Sequence, residues 1–233
     1  MAKFQMARQR RFARRFLGAA AKALFPGDAA RRKSFHDQAL AQGAGLYAER
    51  ADLLPDAASR YQESHRALVL ASVRSAAALG VSRTEAIETI GEVYRELSQE
   101  VPKQFYGLLL TFAPNPLGVL QKLGMADGLR RMMGQDMVVK DDVGPHHYAL
   151  VVEGCAYNAF FQRHGEPEVT LVFCRADRAW MDVINRSRRP LSISRPSTQS
   201  TGAERCIFRY ENITGATKPD VDVANGAHAP HQG

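Results

Sequence analysis

Residues 167–177 read PEVTLVFCRAD, and whether they form a helix or a strand decides the fold. Pro167 favours a helix, because in a first turn its missing N–H costs nothing. Val169, Thr170 and Val172 pull the other way, since β-branched residues suit a strand. A helix carries Cys174 and Asp177, three residues apart, onto one face. A strand points them to opposite faces and separates them. Both conformations stay open on this stretch alone, so it is read with its neighbours.

Immediately upstream, CAYNAFFQRHG at 155–165 has a helical pattern closed by Gly165, and HHYALVV at 146–152 has the apolar run of a strand. Downstream, 190–200 and 205–211 read as two strands around a turn at Thr201-Gly202-Ala203-Glu204, which makes a hairpin. Cys206 alternates with Phe208 on its second strand, so both face one side. The three cysteines, Cys155, Cys174 and Cys206, all lie in this region. An odd number makes a poor disulfide framework and fits a reducing compartment, so the expected location is cytoplasmic.

The preceding half is helical in pattern. Phe12, Phe16, Ala20 and Leu24 recur every fourth residue among arginines, and Pro26-Gly27 ends that basic amphipathic helix. Residues 55–79 read as a helix with Pro55 near its start and Gly80 past its end. Ser82 and Glu85 open the next one as a capping box, followed by a stripe of Ile87, Ile90, Val93, Tyr94 and Leu97. The two form a helical hairpin. Glu63 and His65 belong to solvated or packed helix faces. Pro102, Pro114 and Pro116 then cut the chain into short pieces before a helix through LGVLQKLGMADGLRRMMG, whose methionines suit hydrophobic packing.

The net charge of +7 is unevenly placed. Residues 1–33 hold ten basic residues and one acid, while the rest of the chain carries 21 basic and 23 acidic groups. The body therefore gives no electrostatic reason to expect nucleic acid, and the arm is a candidate for peripheral contact with an anionic surface or for packing on the body or a second subunit. Arg14-Arg15 precedes an apolar segment too short, and too soon interrupted by Lys22, for an export signal. The most apolar stretch, 105–113, is about half the ~20 residues that span a bilayer.

There is no GxxxxGK[ST], GxGxxG after a strand, GxSxG, HExxH or paired CxxC. What remains is an order of motifs: Cys155 on an aromatic-rich helix, Gly165-Glu166-Pro167-Glu168, Phe173-Cys174-Arg175-Ala176-Asp177, then Arg195, Thr198, Gly202 and Cys206-Ile207-Phe208-Arg209. Over 145–211 this order resembles the L-2-amino-thiazoline-4-carboxylic acid hydrolase family. The hairpin ending Gly-x-x-x-Cys-x-Phe is also similar to vinyl-4-reductase-type ligand-binding domains. Gly202-Ala203 and Cys206-Ile207 depart from the family pattern, which tends toward Gly-Asp and Cys-Asp-Phe.

The resemblance implies hydrolytic opening of a cyclic amidine at C2 of a 2-amino-thiazoline ring, toward a carbamoyl-cysteine. Such a carbon is a poor electrophile until protonated, so the catalyst needs a carboxylate for the amidinium and a nucleophile or activated water. Asp177 suits the first task and Cys174 the second, provided its thiol is lowered from the usual ~8.5. His147, or His146, is the available proton shuttle. Cys155, Arg195, Cys206 and Arg209 are the candidate substrate-binding residues, an arginine clamping the carboxylate. Each has a plainer alternative: the cysteines as small buried hydrophobes, Asp177 as an ion-pair partner, the histidines as surface groups, Trp180 as packing.

The expectation is an α+β protein, a helical N-terminal half packed with a small antiparallel sheet and hairpin module that bears the cysteines. Its parts are a basic helix over 1–35, one hydrolase-like domain over 36–213, helical to 140 with the cysteine module from 141, and a disordered tail over 214–233. The function is a carbon–nitrogen hydrolase acting through Cys174 and Asp177 on a small molecule, without a required cofactor and able to form a homo-oligomer. The alternative is a non-catalytic module that binds a ligand or partner. Zinc on three thiolates plus Asp177 or His147 is the rival use of the cysteines, although their separations lack the close pair of structural zinc sites.

Overall fold

The computed structural model describes residues 2–213, with side chains from Gln9 onward, so the tail expected over 214–233 lies outside the described residues. Seven helices come first: α1 (Ala2–Leu24), α2 (Ala29–Ala48), α3 (Ala57–Ala78), α4 (Arg83–Ser98), α5 (Glu100–Phe112), α6 (Pro116–Leu123) and α7 (Ala126–Met133). Strands β1 (Val138–Val143) and β2 (His147–Gly154) follow, then α8 (Ala156–Arg163), a 3₁₀ turn at Pro167–Val169, α9 (Thr170–Ala176), α10 (Arg178–Asn185), β3 (Leu191–Ser197) and β4 (Cys206–Asn212). The four strands make one antiparallel sheet in the order β1-β2-β4-β3. The protein is α+β with a helical N-terminal half, and no helix among the described residues is long and apolar enough to cross a membrane.

The deciding stretch is helical. Pro167 occupies the first position of the 3₁₀ turn that leads into α9, and Val169, Val172, Phe173 and Ala176 are all buried. That i, i+3, i+4, i+7 set is one helix face, and packing it against α4 outweighs the β-preference of the branched residues. Gly91 gives α4 room for the approach, its Cβ position lying 3.7 Å from Val172 Cα.

Helix α3 runs through the middle of the helical half, with fourteen buried residues. Asp56 caps it by accepting from Ser59 N at 2.7 Å, and its other oxygen accepts from Gln135 N at 2.8 Å. Glu63 and His65 are packed rather than solvated. Arg66 is 1% exposed; its guanidinium lies 3.0 Å from Glu63 and 2.8 Å from Asp136, over the Tyr157 ring. Ser82 caps α4 through Glu85 N as the sequence predicts. In α1, Phe16, Leu17, Ala20 and Ala21 are buried against the body while Arg10, Arg11, Arg14 and Arg15 are exposed.

Three readings need correction. Residues 100–112 form one continuous helix, because Pro102 stands in its first turn, where no intrahelical N–H is lost. The single helix expected through 117–134 is two, divided at Gly124 with φ of +58°, and Asp141 receives the N–H groups of Met125 and Ala126 at the restart. Strand β1 starts at Val138, inside the span expected to be helical to 140, and α2 stands where the sequence reading places no individual helix. In β1 only Val139 is buried, so VVKDDV lacks the alternation that marks a strand.

The buried ion cluster gives a direct test. Arg66→Ala takes from Asp136 its partner at 2.8 Å and leaves buried Glu63 facing the more distant Arg163 at 3.8 Å, and we expect a loss of about 3–5 kcal/mol in urea unfolding. A change below ~1 kcal/mol would contradict the placement of Arg66 at the centre of α3's contacts.

Candidate active site

Strand β3 buries Leu191, Ile193 and Arg195 on its inner face. Arg195 is 3% exposed, and its Nη1 donates to the carbonyl of Cys174 at 2.9 Å and lies 3.3 Å from Asp177 Oδ2. The Cys174 carbonyl is in the last turn of α9, where a helix leaves acceptors for outside donors. Asp177 is the residue at which α9 ends and α10 begins. Its second oxygen accepts from Trp180 Nε1 at 3.3 Å. One guanidinium thus holds the sulfur-bearing turn and the carboxylate together, over the face of Phe208.

The other two sulfurs arrive through the hairpin. Cys206 faces inward with Phe208 and Tyr210 on β4. Cys155 is the N-cap of α8, and Asn158 N points at its Sγ at 3.5 Å. Gln199, in the β3–β4 connection, joins them: its backbone N donates to Cys206 Sγ at 3.2 Å, and its Oε1 accepts from Cys155 N at 3.1 Å. The neighbouring Ser200 accepts from Cys174 Sγ at 3.3 Å. Thr198 is buried, and its Oγ1 has no hydrogen-bond partner among the described residues.

Burial dominates the electrostatics. It pushes the Cys174 thiol up to about 12 against the pull of Arg195 and Ser200, and the Cys155 thiol up to about 11 against the N–H of Asn158. Cys206 is raised for the same reason. Burial also raises Asp177, with Arg195 and the Trp180 N–H partly offsetting it. The hydrogen bonds of Gln199, Ser200 and Arg195 link the three cysteines and Asp177 into one group. It is not a ligand set: among the described residues no three His, Cys, Asp or Glu side chains stand where they could hold a metal ion. The rival zinc reading does not fit.

Two expected participants lie elsewhere. His147 begins β2 paired with Glu211, on the same face as Ala149 and its partner Arg209, away from Tyr148, Leu150 and Val152; its ring lies 3.6 Å from Asp142. Arg209 sits on the exposed face of β4 and donates to Glu211 at 2.7 Å. Alternation along the strands removes both. The motif residues Glu166 and Glu168 turn out to brace the site: Glu166 binds both Arg74 and Arg83, and Glu168 accepts from Arg83 at 2.6 Å. Gln199 and Ser200 carried no signal in the sequence. Trp180 did, since it follows Asp177 by one helical turn.

A family model described as L-2-amino-thiazoline-4-carboxylic acid hydrolase matches residues 60–210, from α3 to β4. No curated protein matches the sequence. Among solved structures, an H-NOX protein from S. oneidensis, determined in the Fe(II)NO ligation state, aligns over 79% of this chain and 98% of its own at 14% identity. Its TM-score of 0.29 is too low to carry an argument.

The raised thiols predict slow chemistry toward reagents. At neutral pH, Cys174 in the folded protein should alkylate with iodoacetamide about a thousandfold more slowly than an ordinary cysteine of pKa ~8.5. Unfolding in guanidinium should bring all three cysteines to similar fast rates. Peptide mapping that finds Cys174 labelled rapidly in the native state would contradict the electrostatics.

Proposed function

This chain belongs to the L-2-amino-thiazoline-4-carboxylic acid hydrolase family, and from that premise we propose that it opens a small cyclic amidine, 2-amino-thiazoline-4-carboxylate or a close analogue, through Cys174 and Asp177. The observation that carries this reading is the Arg195 guanidinium reaching both the Cys174 carbonyl and the Asp177 carboxylate. A carboxylate offers about four lone-pair positions. Trp180 and Arg195 use one on each oxygen of Asp177, which leaves one on each for the two parallel N–H groups of an amidinium. Asp177 keeps 30% of its side-chain surface accessible, and Cys155 and Cys174 are part-exposed, so a small molecule has surface to meet.

The chemistry follows from those positions. With the cation held by Asp177, its charge lowers the nearby thiol, whose burial otherwise disfavours ionisation. The sulfur of Cys174 adds to C2, and its proton goes to the ring nitrogen that leaves as the C–N bond breaks. Water then adds to the same carbon and displaces the sulfur, which regains its proton. The net change is one water added and a carbamoyl-cysteine released. Arg195 is a positioning residue here, because it acts through Asp177 and the end of α9. The unpartnered hydroxyl of Thr198 is suited to the substrate's carboxylate or the attacking water, since a buried hydroxyl without a partner costs ~1–3 kcal/mol until one arrives.

A second reading makes Cys155 the nucleophile. It is favoured by the Asn158 N–H aimed at its sulfur, at the end of α8 where the helix dipole stabilises a thiolate. Separate substitutions distinguish the two. Assayed on 2-amino-thiazoline-4-carboxylate, Cys174→Ser and Asp177→Asn should each lose at least about a hundredfold in kcat with the fold retained, while Cys155→Ser keeps most activity. The reverse pattern of the two cysteines supports the second reading, and full activity in Cys174→Ser and Asp177→Asn together rejects the site.

The pH profile carries a further expectation. Asp177 must be ionised, and its raised pKa means that turnover falls as pH drops through a value above the ordinary carboxylate range near ~4. Arg195 lowers that pKa, so Arg195→Gln should move the acid limb to higher pH and Arg195→Lys should move it less. A limb that stays in place in Arg195→Gln would contradict the assignment.

A further inference from the structure

Helix α5 presents an apolar ridge to solvent. Val101, Phe105, Leu108 and Phe112 are 63%, 41%, 60% and 75% exposed, while Tyr106, Leu109 and Leu110 on the other side are buried. Exposures of that size amount to roughly 400–500 Å² of apolar surface, at the level where a contiguous patch marks an interaction site. Beside the ridge runs a shallow groove lined by Gln104, Gly107, Leu108 and Thr111. Nothing lies within 4 Å of the position a Gly107 Cβ would take, so the groove is open to a second helix.

We propose that this ridge pairs with the same ridge of a second copy, antiparallel about a twofold axis. The spacing of the ridge reads the same in both directions, four, three and four residues. A twofold axis midway between Phe105 and Leu108 sets Val101 against Phe112 of the other copy and Phe105 against its Leu108. Each ridge then enters the other's groove at Gly107, where the absent side chain lets the backbones approach. The charges at the ends of the face are matched, because Lys103 lies 3.9 Å from Glu100, and Arg189, which donates to the Thr111 and Ala113 carbonyls, falls near Glu100 of the other copy in this pairing. With those flanking residues included, a paired contact reaches the ~1,200 Å² total at which specific interfaces begin. A membrane is the weaker occupant, since interfacial helices flank their apolar side with several basic residues and α5 has only Lys103. The twenty residues after Ile213 supply no ridge either, their only large apolar side chains being Val221 and Val223.

Sedimentation velocity on the full chain tests this. At concentrations on the order of tens of micromolar the protein should be a dimer, and Leu108→Glu and Phe112→Glu should each weaken the dimer more than about thirtyfold with the helical circular dichroism unchanged. Leu53→Glu, a control at an exposed apolar site 73% open, should leave it intact. A monomer at those concentrations, a dimer indifferent to both ridge variants, or a monomer that binds anionic vesicles through the ridge would overturn the proposal.

Discussion

The candidate site depends on one buried cation. Arg195 is taken out of water on the inner face of β3, and a guanidinium so placed must be paired and hydrogen-bonded or the fold becomes unfavourable. Among the partners it finds are the Cys174 carbonyl and the Asp177 carboxylate. That requirement fixes the junction of α9 and α10 against the hairpin, and with it the spacing of thiol and acid. The sheet order supports the arrangement: β3 is an edge strand, so a long side chain on it reaches the helices that pack beside it. Glu166 and Glu168, salt-bridged to Arg74 and Arg83, anchor the other end of α9 to α3 and α4. A helix of seven residues is too short to hold itself, and ionic contacts at both ends together with its buried apolar face hold it.

How much of this was legible follows from which signals are local. The hairpin, the strand at 146–152, the helix over 55–79 and the Ser82 cap all rest on neighbouring residues, and the structure contains each of them. The stretch 167–177 was undecided because local preferences conflict there. The period of Val169, Val172, Phe173 and Ala176 was present in the sequence, but only their burial shows which signal prevailed. Helix α2 was hidden because its few large apolar residues, Phe35, Leu40, Leu46 and Tyr47, are spread among alanine, glycine and polar ones. Phe35, Ala39, Gly43 and Leu46 make its buried stripe, and the small residues within it allow close approach, the Gly43 Cβ position lying 3.5 Å from Leu68 Cα.

The site divides in the same way. Cys155, Cys174, Asp177, Arg195 and Cys206 were found as an ordered set, and the structure gathers them. His147 and Arg209 satisfied the chemistry on paper, yet β2 and β4 turn both to the outer face of the sheet. Residue type identified them, and residue type holds no information about distance. Gln199 and Ser200, which touch the sulfurs directly, were invisible because a polar residue in a turn is the commonest thing a turn contains.

The account therefore turns on whether Asp177 receives the substrate's amidinium. A crystal structure of the Cys174→Ser variant soaked with 2-amino-thiazoline-4-carboxylate tests that claim most directly. The account predicts both ring-system nitrogens within hydrogen-bond distance of the Asp177 carboxylate, with Arg195 still on the Cys174-position carbonyl. The ligand bound away from Asp177, or an Asp177 turned from Arg195 to contact nothing of it, would contradict the account.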